Sequence, residues 1–150
     1  MRGAWSRITV HHSAETSSNP EGGSLDESTE TLRGIQRFHM DDPGHRYGDI
    51  GYHFLIDSSG RIFEGRNLSW QGAHAGGQNG IHNNQNIGVC LLGDFSSRPP
   101  TPAALKSMEL LVGDLRRRFR IPASRVFAHS EFRDTQCPGP ALEGWVAKYR

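Results

Sequence analysis

The stretch HSEFRDTQCPG, residues 129–139, sets a histidine and a cysteine eight positions apart and follows the cysteine with a Pro-Gly turn. A metal site, half of a disulfide and an ordinary polar loop all fit such a stretch, and the choice between them depends on partners elsewhere in the chain. His129 closes the strand-like run Arg125-Val126-Phe127-Ala128, and Cys137 sits in the irregular segment just beyond it. His11 comes at the end of a second β-rich run, Ile8-Thr9-Val10-His11-His12. Strand ends in an α/β sheet project towards one edge, where ligand sites form. Two strand-end histidines and a loop cysteine can therefore meet. Two imidazoles and a thiolate are a borderline-soft donor set suited to Zn2+. Three protein ligands leave the fourth tetrahedral position to water, as in catalytic zinc sites. The plainer alternative for either histidine is a satisfied, partly buried side chain. Cys137 could pair with Cys90, but Cys90 lies in an apolar run and reads as a small core residue. His11 and His12 point to opposite faces of their strand, and spacing alone leaves either as the ligand.

The elements that would position these groups can be read from patterning. Ser24-Leu25-Asp26-Glu27 has the spacing of a capping box. The spacing predicts a helix over residues 29–40, with Leu32, Ile35, Phe38 and His39 near one face and Asp42-Pro43-Gly44 as its stop. Tyr52-His53-Phe54-Leu55-Ile56 and Arg61-Ile62-Phe63-Glu64 flank Asp57-Ser58-Ser59-Gly60, the pattern of a β-hairpin. Residues 67–86, rich in Gly and Asn, read as a long irregular loop, and long loops inside compact domains are usually functional. The run Ile87-Gly88-Val89-Cys90-Leu91-Leu92 suits a central strand buried on both faces. Thr101 as N-cap and Pro102 at the first helical position open a helix whose stripe is Leu105, Met108, Val112, Leu115 and Phe119. Ile121-Pro122 ends it, and residues 142–149 form a short closing helix. Strands alternating with helices indicate one α/β domain built on a mixed sheet flanked by helices.

The bulk numbers exclude several classes. The chain has 150 residues, the size of one domain, which buries roughly 70% of the surface its unfolded form exposes. Seventeen Lys plus Arg against sixteen Asp plus Glu give a net charge of +1, which leaves no broad footprint for nucleic acid or anionic lipid. The run Arg116-Arg117-Arg118-Phe119-Arg120 reads as the solvated C-terminal end of a helix, where cations suit the dipole. Two cysteines do not make a disulfide framework. No apolar run reaches the roughly 18 residues of a membrane span. The chain enters a strand almost at once, so no signal peptide is expected within it. Residues 14–26, polar and Gly-rich, are expected to form a surface loop. G-x-S-x-G and G-x-x-x-x-G-K-[ST] are both absent, so serine-hydrolase and P-loop readings lack their signatures.

Seven stretches in register resemble the zinc-dependent N-acetylmuramoyl-L-alanine amidases, a family shared by phage lytic amidases and peptidoglycan recognition proteins. They are ITVHHS at 8–13, IQRFH at 35–39, DIGYHFLI at 49–56, GRIFEGR at 60–66, GAHA at 72–75, NIGV at 86–89 and RDTQCPG at 133–139. The resemblance implies a peptidoglycan amidase fold over residues 1–150 and makes His11, His129 and Cys137 the ligands of one Zn2+. It chooses His11 over His12, which is left as a structural or supporting residue. It implies hydrolysis of the amide joining N-acetylmuramic acid to L-alanine of the stem peptide, with peptidoglycan or muropeptide as the partner and a monomer as the working unit. Members that have lost hydrolysis typically lack the cysteine, and Cys137 is present here.

The resemblance also assigns Tyr52 as a catalytic tyrosine and Thr135 as a second catalytic position. Phage-type members tend to carry lysine at the latter and amidase-active recognition proteins threonine. Tyr52 could otherwise be a core aromatic, and Thr135 a brace for the turn holding Cys137. His74 of GAHA resembles a groove residue of the family. Arg66 is a plausible neighbour for stem-peptide carboxylates, and Trp70 for stacking on sugar or peptide. The rival from another class is a non-catalytic peptidoglycan-binding module on the same fold, and a zinc peptidase cutting within the stem is a third reading. Stem-peptide preference, biological lineage and cellular location are not legible in the residues.

Overall fold

A computed structural model describes residues 4–14 and 23–150. The polar loop expected over residues 14–26 falls largely outside them. Strand β1 spans Arg7–His12, β2 Phe54–Ile56, β3 Ile62–Glu64, β4 Asn86–Leu91 and β5 Val126–Ala128; helix α1 spans Leu25–Asp41, α2 Pro102–Phe119 and α3 Pro140–Tyr149. The strands form one five-stranded sheet in the order β3-β2-β4-β1-β5. β2 pairs with β3 antiparallel, and the other neighbours run parallel, so the sheet is mixed as expected. β4 is the central strand and is buried along its whole length.

The two faces of the sheet are unequal. Ile8 and Val10 of β1, Ile87, Val89 and Leu91 of β4, and Val126 and Ala128 of β5 pack with Met108, Val112 and Leu115 of α2 and with Leu142 and Val146 of α3. This is the main core, and truncating one such side chain to alanine typically costs about 2–5 kcal/mol. On the other face Ile35, Ile50, Leu55, Cys90 and Leu92 form a smaller cluster beneath α1. The rest of that face, along β1, carries Thr9 and His11, and there the site is built.

Local chemistry accounts for the helix ends. Ser24 Oγ accepts the Glu27 N–H at 3.1 Å, the N-cap half of the expected box, and donates to the Glu27 carboxylate at 3.2 Å. α1 therefore begins at Leu25, four residues before the apolar pattern suggests. Its buried positions are Ser28, Thr31, Ile35 and His39, whereas Phe38 is exposed. The first half of that face is polar because it meets Asp57: Ser28 Oγ donates to Asp57 Oδ2 at 2.7 Å. Asp57 also accepts the Ser59 and Arg61 N–H groups and pairs with the Arg61 guanidinium, closing the β2–β3 turn. Thr101 caps α2 and donates its hydroxyl to Ser58 O, which docks that turn onto the helix. Arg120, left-handed, ends α2 one residue before the expected stop, and Arg117, Arg118 and Arg120 are solvated.

Two buried histidines tie loops to this framework in their neutral form. His53 Nδ1 accepts the Gly88 N–H at 3.1 Å and its Nε2 donates to Trp70 O at 3.0 Å. His39 Nδ1 accepts the Gly51 N–H at 2.9 Å. Burial is the main reason both titrate at about 4 instead of 6.5. The unfolded chain takes up these protons near 6.5, so their contribution to stability is fully present above that pH and is lost as pH falls towards 4. In urea titrations with chelator present, the metal-free protein should lose on the order of 1 kcal/mol per pH unit over that window. An unfolding midpoint that stays level from pH 6.5 to 5 would contradict the neutral assignment.

Candidate metal centre

His11, on the α1 side of β1, sits beside Cys90 of β4 in register and is 1% exposed. His129 is the first residue of a 3-10 turn, His129–Glu131, that follows β5 directly. Glu131 holds this turn against the strand by accepting the Ala128 N–H at 2.7 Å, and Arg150 Nη1 donates to the same carboxylate. Cys137 comes from the loop between that turn and α3. Gly139 after it has φ +91°, and any Cβ there would overlap the Phe95 carbonyl, so glycine is required where this loop crosses the end of the sheet.

The three candidate ligand atoms lie within 4.8 Å of one another. Cys137 Sγ is 3.7 Å from His11 Nδ1, and the His11 and His129 rings are 4.4 Å apart. Zinc bonds of roughly 2.1 Å to nitrogen and 2.3 Å to sulfur at a tetrahedral angle would put the two atoms about 3.6 Å apart. Both ring nitrogens of His129 are buried with no hydrogen-bond partner. Leaving a buried polar atom unmade costs about 1–3 kcal/mol, and such an exception calls for an explanation. The donor set and its orphaned nitrogens fit a zinc ion. Cys90 and Cys137 are not joined to each other, so the disulfide alternative is not realised.

The electrostatics suit the same reading. Burial, then the neighbouring His74 and His129, hold His11 well below 6.5. Burial and Arg133 bring His129 to about 4, so its imidazole is a neutral donor at physiological pH. Burial pushes the Cys137 thiol up to about 12, countered by the His12 N–H, which donates to Sγ at 3.3 Å. His12 points to the other face, where its Nδ1 accepts the Phe95 N–H. Its ring thus braces the Phe95 segment, while its backbone N–H supports the candidate ligand Cys137.

The remaining expected site residues are spread over distinct roles. Tyr52 is half-buried with its ring 5.1 Å from that of His11. Burial and the adjacent Cys90 and Cys137 raise its phenol well above 10, so it remains a donor. Thr135 Oγ1 accepts the Cys137 N–H at 3.2 Å, bracing the ligand loop while its hydroxyl proton stays free to donate. Trp70 is 70% exposed. Arg66 is turned inward: its guanidinium donates to the carbonyls of Tyr47, Asp49, Ile50 and Gln71. His74 is 8% exposed and lies behind His11, with Nδ1 2.9 Å from His11 Nε2 and Nε2 2.9 Å from Asn86 O. Spacing did not reveal this contact. The one signal for it is Gly88 inside a buried strand, since such a glycine often marks a close approach; a Cβ there would lie 2.7 Å from the His74 ring.

The profile of the N-acetylmuramoyl-L-alanine amidase family matches residues 1–140. The chain belongs to this family. The human N-acetylmuramoyl-L-alanine amidase is 36% identical over 113 residues, 74% of this chain but 19% of its own length. Drosophila melanogaster peptidoglycan-recognition protein SC2 is 31% identical over 135 residues, 89% of this chain and 68% of its own. The crystal structure of peptidoglycan recognition protein LE in complex with tracheal cytotoxin, a monomeric diaminopimelic acid-type peptidoglycan, superposes with a TM-score of 0.83 at 26% identity, covering 97% of this chain and 80% of that one. The chain thus spans about a fifth of the human relative. Its fold is the single α/β domain of the amidases and recognition proteins, and it carries the His-His-Cys candidate zinc site.

Metal binding supplies a direct check. Cys137 must give up its proton to become a ligand, whereas His129 is already neutral above about pH 4. Zinc affinity measured against a chromophoric chelator should therefore rise about tenfold per pH unit from about pH 6 to 8. Cys137→Ser should abolish tight binding while leaving the circular dichroism of the fold unchanged. A flat pH profile, or a serine variant that binds like the parent, would remove Cys137 from the ligand set.

Proposed function

We propose that this domain is a zinc-dependent amidase that cleaves the bond between N-acetylmuramic acid and the L-alanine of the peptidoglycan stem, acting as a monomer through one domain over residues 1–150. The observation that carries this reading is that one ligand atom each of His11, His129 and Cys137 lie within 4.8 Å of one another, with the His129 ring nitrogens buried and unpartnered, inside a fold of the family. His11, His129 and Cys137 would hold the ion, and bound zinc supplies Lewis acidity and a nucleophile available near neutral pH.

The chain's own residues do the rest. Tyr52 stays protonated and can donate to the oxyanion that develops when the amide carbon becomes tetrahedral. Removing one such donor typically costs on the order of 10²–10³ in rate. Thr135 keeps the Cys137 loop in shape through its oxygen and offers its hydrogen to the reacting centre. It brings no charge, so its effect should be smaller than that of Tyr52. Trp70, exposed between β3 and β4, would stack on sugar or peptide. Arg66, with its guanidinium spent on the carbonyls of Tyr47, Asp49, Ile50 and Gln71, would brace these segments around Tyr52. The resemblance to recognition proteins, one of them solved with tracheal cytotoxin, favours a second reading: retention of muropeptide without hydrolysis.

Products of purified peptidoglycan incubated with zinc-loaded protein, analysed by mass spectrometry beside a chelated control, separate the two. Intact stem peptides with a free L-alanine amine are expected, absent from the control and reduced about 10²–10³-fold in initial rate for Tyr52→Phe with its zinc retained. Undigested peptidoglycan that still retains the protein would establish recognition instead.

A further inference from the structure

Asn86 O can only accept a hydrogen bond, so the His74 Nε2 at 2.9 Å must carry a proton. His74 Nδ1, 2.9 Å from His11 Nε2, then has two options. It is protonated only if the whole ring is an imidazolium, and a cation here would be buried without a counter-charge. Among the described residues, the hydrogen-bond and ring partners of His74 are His11, His53, Asn83 and Asn86, none of them acidic. Burying an unpaired charge is far more costly than burying a neutral ring. His74 Nδ1 is therefore an acceptor, and the proton between the two rings belongs to His11 Nε2. That leaves the His11 lone pair on Nδ1, the nitrogen that faces Cys137 Sγ.

We propose that His74 is a positioning residue of the metal centre: by accepting the His11 Nε2 proton it fixes the one tautomer of His11 whose Nδ1 can bind a metal. The ring is itself held on every side. The Asn83 side-chain oxygen accepts the N–H groups of both His74 and Ala75, at 2.9 and 2.7 Å. Asn86 donates its amide to His82 O and accepts from Thr9, which fixes the residue whose carbonyl orients His74. Gly72 and Gly88 leave room for the ring to lie flat against the backbone, since a Cβ at either would fall within 2.7 Å of it. Partners that donate to or accept from metal-ligating histidines typically contribute 10–100-fold to metal affinity.

The inference rests on the zinc-site reading, and its test separates the two. In metal-free protein labelled with 15N-histidine, ring-nitrogen shifts should show His11 protonated at Nε2 and bare at Nδ1. His74→Leu, which removes the acceptor, should abolish that bias and weaken zinc binding about 10–100-fold. His74→Asn, which keeps an oxygen near the Nδ1 position but leaves a larger void, should retain the bias and bind within a few-fold of the parent. A merely structural role predicts the reverse order, because the asparagine void is the greater packing defect. A His11 proton on Nδ1 in the parent, or equal losses in both variants, would overturn the proposal. A parent that shows the expected tautomer yet binds no zinc would sink the metal reading and leave the orienting contact standing.

Discussion

Between β1 and the 72–75 loop, one imidazole meets another, and among the described residues no carboxylate is a hydrogen-bond or ring partner of either. Neither ring can become a cation there, so each must place its single proton on one nitrogen and find an acceptor for it. That requirement runs from the Asn86 carbonyl through His74 to His11 and ends on a lone pair aimed at Cys137. The same rule governs His53 and His39, whose Nδ1 atoms accept backbone N–H groups of Gly88 and Gly51. Among the described residues, His129 is the one whose two ring nitrogens are buried without partners. Its frustration is informative because its neighbours have none.

Much of the fold could be read from the chain because its signals are local. The Ser24–Glu27 box, the Thr101-Pro102 opening and the turn headed by Asp57 each act within a few residues, and each appears where the pattern places it. The start of α1 was misjudged because its first buried positions are Ser28 and Thr31, polar residues that hydrophobic periodicity cannot register. The ligand trio was legible as donor chemistry at strand ends, although choosing His11 over His12 needed the family pattern. His74 and Arg66 were harder. The resemblance suggests a groove role for His74, and residue type suggests stem-peptide carboxylates for Arg66; the contacts of the buried imidazole and of the guanidinium that faces four carbonyls are long-range and not encoded in composition. Trp70 contrasts with both, since its exposure leaves the ring free.

Cys90 shows how one residue can satisfy two readings. It is fully buried in the smaller cluster with Ile35 and Leu55, as its apolar run suggests. Its register with His11 nevertheless places it beneath the site, next to Tyr52. Burial and this neighbouring thiol together hold the phenol well above its ordinary range, so it stays protonated.

The division between the two faces of the sheet explains why the centre can be demanding without endangering the fold. The large cluster beneath α2 and α3 contains none of the three ligands as packing partners, and the ligand-bearing turn and loop are held by Glu131, Thr135 and Gly139 through backbone contacts. Small zinc modules lacking such a core fold only when the metal binds, because the ion supplies their folding energy. Here the core is complete on the opposite face, and the cost concentrated at His129 is a few kilocalories at most against the burial of an entire helix pair. A candidate centre built this way is largely preformed: the Asn86 carbonyl orients His11 through His74, and the His12 amide holds Cys137, so an ion would find these donors in place without having to fold the chain.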